Sequence, residues 1–207
     1  MAPTPPQPHR DPETWSELIA GLPVERFLVV FSTWLGPRLR SSWSAEDIWQ
    51  ETLLMAWRDR SAHEWSGVQD YRRWLFAIAR NRVRDAVTTA TAQKRGGERR
   101  TTSLSALGRG ADDSEFSVGL PPDTLTPSRV YGRMERVQSM HAALDSLPEV
   151  YRDAVRLRVF EEFRLEEVAR ALDVSLATAK KRIYLGAELY TARLRDRMSR
   201  SALGSWG

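Results

Sequence analysis

The chain has 207 residues, 42% of them hydrophobic and 28% charged, which suits one or two packed domains. Its net charge of +4 favours an anionic partner without naming one. The lack of cysteine excludes a disulfide frame, a Cys-zinc site and thiol catalysis. His9, His63 and His141 lie far apart, in no ligand spacing, so neither a metal nor a cofactor is expected.

Residues 1–12 are Pro-rich and lack an apolar core, so they read as a disordered arm and not as a signal peptide. No apolar run approaches the roughly 20 residues that span a bilayer, and a cytoplasmic location is expected. Helical spacing begins at Glu13, with Trp15, Leu18 and Ile19, breaks at Gly21–Pro23, and resumes with Val24, Phe27, Leu28, Phe31, Trp34 and Leu35. Gly36-Pro37 can end or kink that helix. Ser44, followed by Glu46 and Asp47, has the form of a helix start: a hydroxyl cap with acids where the helix dipole favours them. The helix it opens runs to about Arg60. Its Ile48, Leu53, Met55, Ala56 and Trp57 do not fit one narrow stripe, so two of its faces are at least half apolar. One packs inwards; the other, with Asp47, Gln50, Glu51 and Leu54, is either a solvated acidic face or a docking surface.

Residues 61–69 read as a polar loop carrying Trp65, and Asp70 as the cap of the next helix. Trp74, Leu75, Ile78, Ala79 and Val83 form that helix's buried stripe. Arg72, Arg73, Arg80, Arg82, Arg84, Lys94 and Arg95 decorate the rest, with Asp85 the lone acid between Tyr71 and Arg95. Arginines interleaved with aromatics suit single-stranded or partly melted nucleic acid, because bases stack on rings while guanidinium neutralises phosphate. Trp74, on the apolar stripe, belongs rather to the core.

From Gly96 the composition shifts to Gly, Ser, Thr, Pro and Asp without periodicity, and residues 96–128 read as a flexible linker. Thr126 or Ser128 caps a helix whose apolar face comprises Val130, Met134, Val137, Met140, Ala143, Leu144 and Leu147. A further helix from Glu149 to about Glu161 turns Val150, Ala154, Leu157 and Phe160 inwards. Seven of the eight tryptophans precede residue 75, so the two halves are expected to have different cores.

A short amphipathic helix from Leu165 to Leu172, with Leu165, Val168, Ala169 and Leu172 inside, leads through Asp173-Val174 to a second helix capped by Ser175. Asp tolerates the left-handed backbone such a turn demands, though less well than Gly. Leu176, Ala179, Ile183, Ala187 and Tyr190 make the inner face of the second helix. Ala177, Lys180, Lys181, Tyr184 and Glu188 make its outer face. Helix, short turn and capped basic helix is the helix-turn-helix order, and small residues beside lysines at the helix start suit entry into a major groove. The tail after Tyr190 prolongs this helix with Arg193, Arg195, Arg197 and Arg200, then frays.

The strings AEDIWQETLLMAW, YRRWLFAIARNRVRD and ALDSLPEVYRDAVRLRVFEEFRLEEVARALDVSLATAKKRI, in this order across most of residues 24–195, resemble the sigma-70 family of bacterial RNA polymerase sigma factors. The compact two-part form is similar to the extracytoplasmic-function group. The resemblance implies an all-α fold of two small helical domains, an N-terminal bundle over residues 13–95 and a C-terminal helix-turn-helix domain over residues 129–198, with a disordered tail at 199–207. It implies an initiation factor that is not an enzyme, is a monomer outside the holoenzyme, and binds core polymerase through the β′ clamp helices and the β flap. Glu46, Asp47, Gln50, Glu51, Leu54 and Trp57 would dock on polymerase. Trp65, Tyr71, Arg73, Arg80, Asn81, Arg84 and Asp85 would bind and open the −10 promoter element. Ser175, Ala177, Thr178, Lys180, Lys181, Arg182 and Tyr184 would enter the major groove of the −35 element. An anti-sigma factor is a further possible partner.

The sequence departs from the family pattern at four places. Asp173 stands where the turn usually has Gly, Ala177 where Gly is frequent, Lys181 where a small residue is common, and Gly186 where Arg is common. These bear on groove contacts and promoter sequence, not on the fold. Two alternatives rest on parts of the same pattern: a stand-alone helix-turn-helix regulator, and a single-strand nucleic-acid-binding protein using the arginine-rich helix.

Overall fold

A computed structural model of the chain describes residues 12–36, 39–63, 67–94 and 127–204, and among these there is no strand. Residues 1–11 of the expected arm, 37–38, 64–66, 95–126 and 205–207 lie outside the described residues, Trp65 and Thr126 among them, and Pro12 belongs to α1. Among the described residues eight α-helices follow in order: α1 (Pro12–Ala20), α2 (Val24–Trp34), α3 (Ala45–Asp59), α4 (Val68–Lys94), α5 (Pro127–Asp145), α6 (Glu149–Val155), α7 (Leu165–Ala171) and α8 (Leu176–Gly204). A 3₁₀ turn, Arg60–Ala62, extends α3, and a π turn, Arg156–Phe160, extends α6.

Local chemistry sets the helix starts. Ser44 Oγ accepts the Asp47 amide at 3.0 Å, and Asp47 Oδ2 accepts the Ser44 amide at 2.8 Å. This reciprocal box satisfies two amides that the first turn of α3 would otherwise leave unpaired. Helix α4 begins at Val68, so Asp70 sits inside its first turn and not at the cap position the sequence suggests. There it still faces the positive end of the helix dipole. Helix α8 continues to Gly204, past the end of the module expected at residue 198.

The N-terminal module packs α1 to α4 around aromatic rings. Phe27 stacks on Phe76 at 4.4 Å and lies 5.0 Å from Trp49. Trp15 meets the edges of Trp57 at 5.5 Å and Tyr71 at 5.9 Å. Trp49 is buried although it stands outside the stripe read from the sequence. The C-terminal module packs α5, α6 and α7 on α8. Met134 and Val150, expected inside, are exposed; Met134 lies at the rim of the apolar arc of α5, and Val150 lies in the first turn of α6, at the end of the element.

The modules do not have separate cores. One buried cluster runs from Trp15 and Phe27 through Val29 and Val30 to Val137, Leu144, Leu147, Phe160 and Tyr190. Helix α2 makes this possible. Phe27 to Phe31 are all buried, so α2 is apolar on every side there. It meets α3 and α4 on one side, and α5 and the π turn on the other.

Gly186 has a packing reason. A Cβ built there would lie 2.7 Å from Val155 Cγ2 and 3.2 Å from both Tyr151 Cβ and Tyr151 O. The crossing of α6 over α8 depends on that missing methyl. Gly186→Ala gains about 1 kcal/mol of helix propensity but meets an overpacking cost of about 1–3 kcal/mol. The expected outcome in urea unfolding is a net loss of about 1 kcal/mol. A net gain would mean that α6 and α8 part without cost.

Candidate nucleic-acid and polymerase interfaces

The turn between α7 and α8 is built from backbone geometry. Asp173 has φ 51°, the left-handed region. Its amide donates to Arg170 O at 3.3 Å, and the Val174 amide donates to Ala169 O at 3.0 Å. These two bonds form the Schellman closure of a helix end, which usually employs Gly at this position. Asp therefore fills the Gly position of the turn without changing its shape. Ser175 Oγ then accepts the Thr178 amide at 3.2 Å and lies 2.9 Å from Thr178 Oγ1, capping α8.

A small apolar cluster of Leu157, Val168, Ala169 and Ala179, with Phe163, Leu165, Leu172, Val174 and Ile183 against it, fixes α8 to α7. Ala177, Lys180, Lys181 and Tyr184 stand exposed on the opposite side, Tyr184 at 65% of its full accessibility. Thr178 and Arg182 are half-buried at the edges of this face. Leu176, expected inside, is exposed: as the first residue of α8 it has no preceding helical turn to pack against. Farther along α8, burial pushes the Tyr190 phenol up to about 12, against a smaller opposing effect of the Arg26 charge.

On α3, Glu46, Asp47 and Gln50 are exposed and Leu54 is half-buried, which leaves one continuous outer face. Asp47 is held by the capping box. Glu51 turns aside to α4, where Arg82 Nε donates to its Oε2 at 2.8 Å and Arg82 Nη2 contacts the same oxygen. Trp57 lies against Trp15, with the Arg60 guanidinium 3.5 Å above its ring.

The residues assigned to the −10 element divide into three groups. Trp65 lies outside the described residues. Tyr71 is only 1% exposed and belongs to the core; burial holds its phenol well above the usual range. Asn81, Arg84 and Asp85 are exposed, with Asp85 at 3.7 Å from Arg82. Arg73 and Arg80 face the C-terminal module instead. Arg73 Nη2 donates to Glu162 O at 3.0 Å and to Glu167 Oε2 at 3.1 Å. Arg80 Nη2 donates to Glu161 Oε2 at 2.6 Å, and the Arg80 guanidinium carbon lies 5.1 Å from the centre of the Trp34 ring.

Two further arginines join this contact, Arg26 and Arg72. Glu162 Oε1 accepts from Arg72 and, at 3.4 Å, from Arg26. Glu161 has no exposed surface, and Arg156 of its own module pairs with its other oxygen. Burial pushes the Glu161 carboxyl up, against the lowering effect of Arg156 and Arg80. The sequence signal was the doublet Glu161-Glu162, directly ahead of the helix-turn-helix, in a chain whose α4 has a surplus of arginine.

Among the described residues, a helical framework with a capped helix-turn-helix and a second arginine-bearing helix has the form of a nucleic-acid-binding protein. The sigma-70 region 2 family matches residues 24–93, and the sigma-70 region 4 family matches residues 138–188. The RNA polymerase sigma-H factor of Pseudomonas aeruginosa is 27% identical over 70% of this chain and 69% of its own length. The ECF RNA polymerase sigma factor SigW of Bacillus subtilis is 24% identical over 73% of this chain and 76% of its own. The ECF RNA polymerase sigma factor SigE of Mycolicibacterium smegmatis is 30% identical over 75% of this chain, but the match spans only 52% of that relative. The chain belongs to the sigma-70 family, in its extracytoplasmic-function group, and directs promoter recognition and transcription initiation. No helix among the described residues is long and apolar enough to cross a membrane.

The left-handed turn yields a stability test. Asp173→Val should cost about 1–2 kcal/mol, because a branched Cβ crowds the carbonyl in that conformation, whereas Asp173→Gly should cost little or nothing. Thermal unfolding of the two variants checks this. Equal midpoints would mean that the turn is not left-handed in solution.

Proposed function

We propose that the chain divides promoter recognition between its modules, with α3 holding the polymerase. The observation that carries this reading is the outer face of α8: Ala177, Lys180, Lys181 and Tyr184 are exposed together, on a helix whose opposite side is fixed to α7. A capped helix start, small side chains and two ammonium groups are what close approach to base edges and phosphates needs. This face reads the −35 element, with Thr178 and Arg182 at its margins and Ser175 shaping the helix end.

The outer face of α3, with Glu46, Gln50 and Leu54, meets the β′ clamp helices of polymerase, while the C-terminal module meets the β flap. Asp47 shapes the start of that face through its cap, and Glu51 and Trp57 support it from behind. Asn81, Arg84 and Asp85, with Arg73 and Arg80 once these are released from the C-terminal module, hold the opened −10 strand. Trp65 is assigned to the same strand from the sequence. Strand opening costs a few kcal/mol per base, which stacking and phosphate contacts must offset. Tyr71 is left out of this surface because its ring lies in the core. RNA synthesis itself belongs to the polymerase. The chain acts as a monomer in the cytoplasm, and an anti-sigma factor is a further partner to seek.

The decisive assay is a pull-down with purified core polymerase followed by run-off transcription from a mapped promoter. Retention on core enzyme together with a promoter-specific transcript is expected. Failure of both sinks the reading.

Two substitutions resolve the surfaces. Lys180→Ala with Lys181→Ala should weaken promoter binding and reduce the salt slope by about 2, since each lost phosphate contact removes about 1. An unchanged slope would place those lysines outside the groove. For the polymerase face, Gln50→Ala with Glu46→Lys is the cleaner probe, because Asp47 also holds the cap of α3. Core-polymerase affinity should drop about tenfold or more, the ratio that about 1.4 kcal/mol sets, with helix content unchanged by circular dichroism. Unaltered affinity would remove the docking assignment.

A further inference from the structure

Part of the arginine face of α4 is engaged in this state, although Arg80 keeps 45% of its side chain exposed. Arg72, Arg73 and Arg80, with Arg26 of α2, meet Glu161, Glu162 and Glu167 of the C-terminal module. Carboxylate and phosphate oxygens compete for the same guanidinium donors, in the same charge-assisted geometry. A second cross-module pair, Arg136 with Glu25 at 3.2 Å, joins α5 to α2. Building on the promoter reading above, we infer that the free chain holds itself closed by an acidic clasp, in which Glu161, Glu162 and Glu167 stand in for nucleic-acid phosphate on the α4 arginines until promoter strand and polymerase displace them.

Three features make the clasp releasable. Glu162 sits at φ 59°, a left-handed position costly for a residue other than Gly. It lies at the end of the π turn, where the Phe163 amide reaches back to Leu157 O at 2.9 Å. Among the described residues, Glu162 Oε2, Arg72 Nε and Arg73 Nε are buried without a protein hydrogen-bond partner. A partly satisfied polar network is weaker than a complete one, and desolvation offsets much of what buried charges gain by pairing. Glu161 also keeps Arg156, from its own module, when the modules part. Opening therefore strands no buried charge on the C-terminal side.

Distance makes opening necessary for promoter binding. Elements centred near 10 and 35 positions upstream are separated by about 85 Å of duplex, at about 3.4 Å per base pair. A compact chain of this length has a radius of gyration of about 17 Å. Modules that share one buried cluster and a set of ion pairs cannot sit on both elements at once.

The test exploits the absence of cysteine from the chain. Thr89→Cys and Ala192→Cys, both at exposed positions, take a donor and an acceptor dye on the full-length protein. High energy transfer is expected in low salt, falling as salt rises, because partly exposed pairs are screened. Glu162→Gln should lower the transfer at fixed salt. It should also tighten binding of an oligo-dT single strand, without polymerase, by about three- to tenfold, as expected of two modest ion pairs. Arg72→Gln alone should lower the transfer as well, and adding Glu162→Gln to it should lower it less than Glu162→Gln does in the parent. Unmoved transfer and unmoved oligonucleotide affinity in Glu162→Gln, with its melting temperature retained, would overturn the clasp. So would transfer that stays high in the complex with core polymerase and promoter. The two readings fail separately. Normal run-off transcription with a salt- and mutation-insensitive transfer signal sinks the clasp alone. A chain that opens as described, yet never binds core polymerase, keeps the clasp and sinks the promoter reading.

Discussion

Helix α2 carries the constraint on which the arrangement depends. Five consecutive residues, Phe27 to Phe31, lose almost all contact with solvent. A helix buried on one face can belong to one module; a helix buried all round must be covered from both sides. The aromatic rings of Trp49 and Phe76 take one side of α2, and α5 with the π turn takes the other. At roughly 25 cal/mol per Å² of apolar surface removed from water, a seam of several valine and leucine side chains outweighs any one of the ion pairs beside it. The apolar seam holds the modules together, and the ion pairs decide which charged groups are hidden when it closes.

That division of labour bears on function. The seam is non-directional and would tolerate small shifts, but guanidinium–carboxylate pairs fix the register of one module against the other. In the closed register the outer faces of α3 and α8 remain exposed, whereas Arg73 is half-buried and Arg80, though 45% exposed, is paired with Glu161. A partner that grips α3 thus finds its site ready, while a partner that needs the inner arginines of α4 must compete for them.

Much of the fold was legible because its signals are local. The box at Ser44 and Asp47, the break at Gly21–Pro23, and the left-handed Asp173 between two amphipathic helices each follow from residues within one turn of one another. The outer face of α8 was legible for the same reason. What could not be read is what depends on distant partners. Tyr71 sits two positions before Arg73 in sequence and is grouped with it for the −10 element, yet its ring turns to Trp15, fifty-six positions earlier in the chain. Val29 and Val30 were passed over because a single stripe has no room for them, and an unbroken apolar run was itself the sign of a helix covered on all sides. Nothing local to Glu161 and Glu162 signals that they pair with arginines some eighty residues earlier in the chain. Family resemblance supplied the roles of the modules, but it carried no information about which arginines this chain keeps occupied.

The same separation explains why the four departures from the family pattern leave the fold intact. Asp173 completes a Schellman closure through backbone bonds that any side chain tolerant of left-handed φ permits. Ala177 and Lys181 lie on the exposed face, where packing sets no size limit. Gly186 differs from these three: its missing methyl lets Val155 and Tyr151 of α6 approach α8. Any larger residue at 186 would push α6 outward, and the π turn and Glu161 follow directly from α6. The spacing that brings the acidic pair to the α4 arginines is therefore set partly by a glycine on the far side of the module. In a relative with arginine at that position, α6 would have to sit farther from α8, and its acids could not be assumed to reach the same partners.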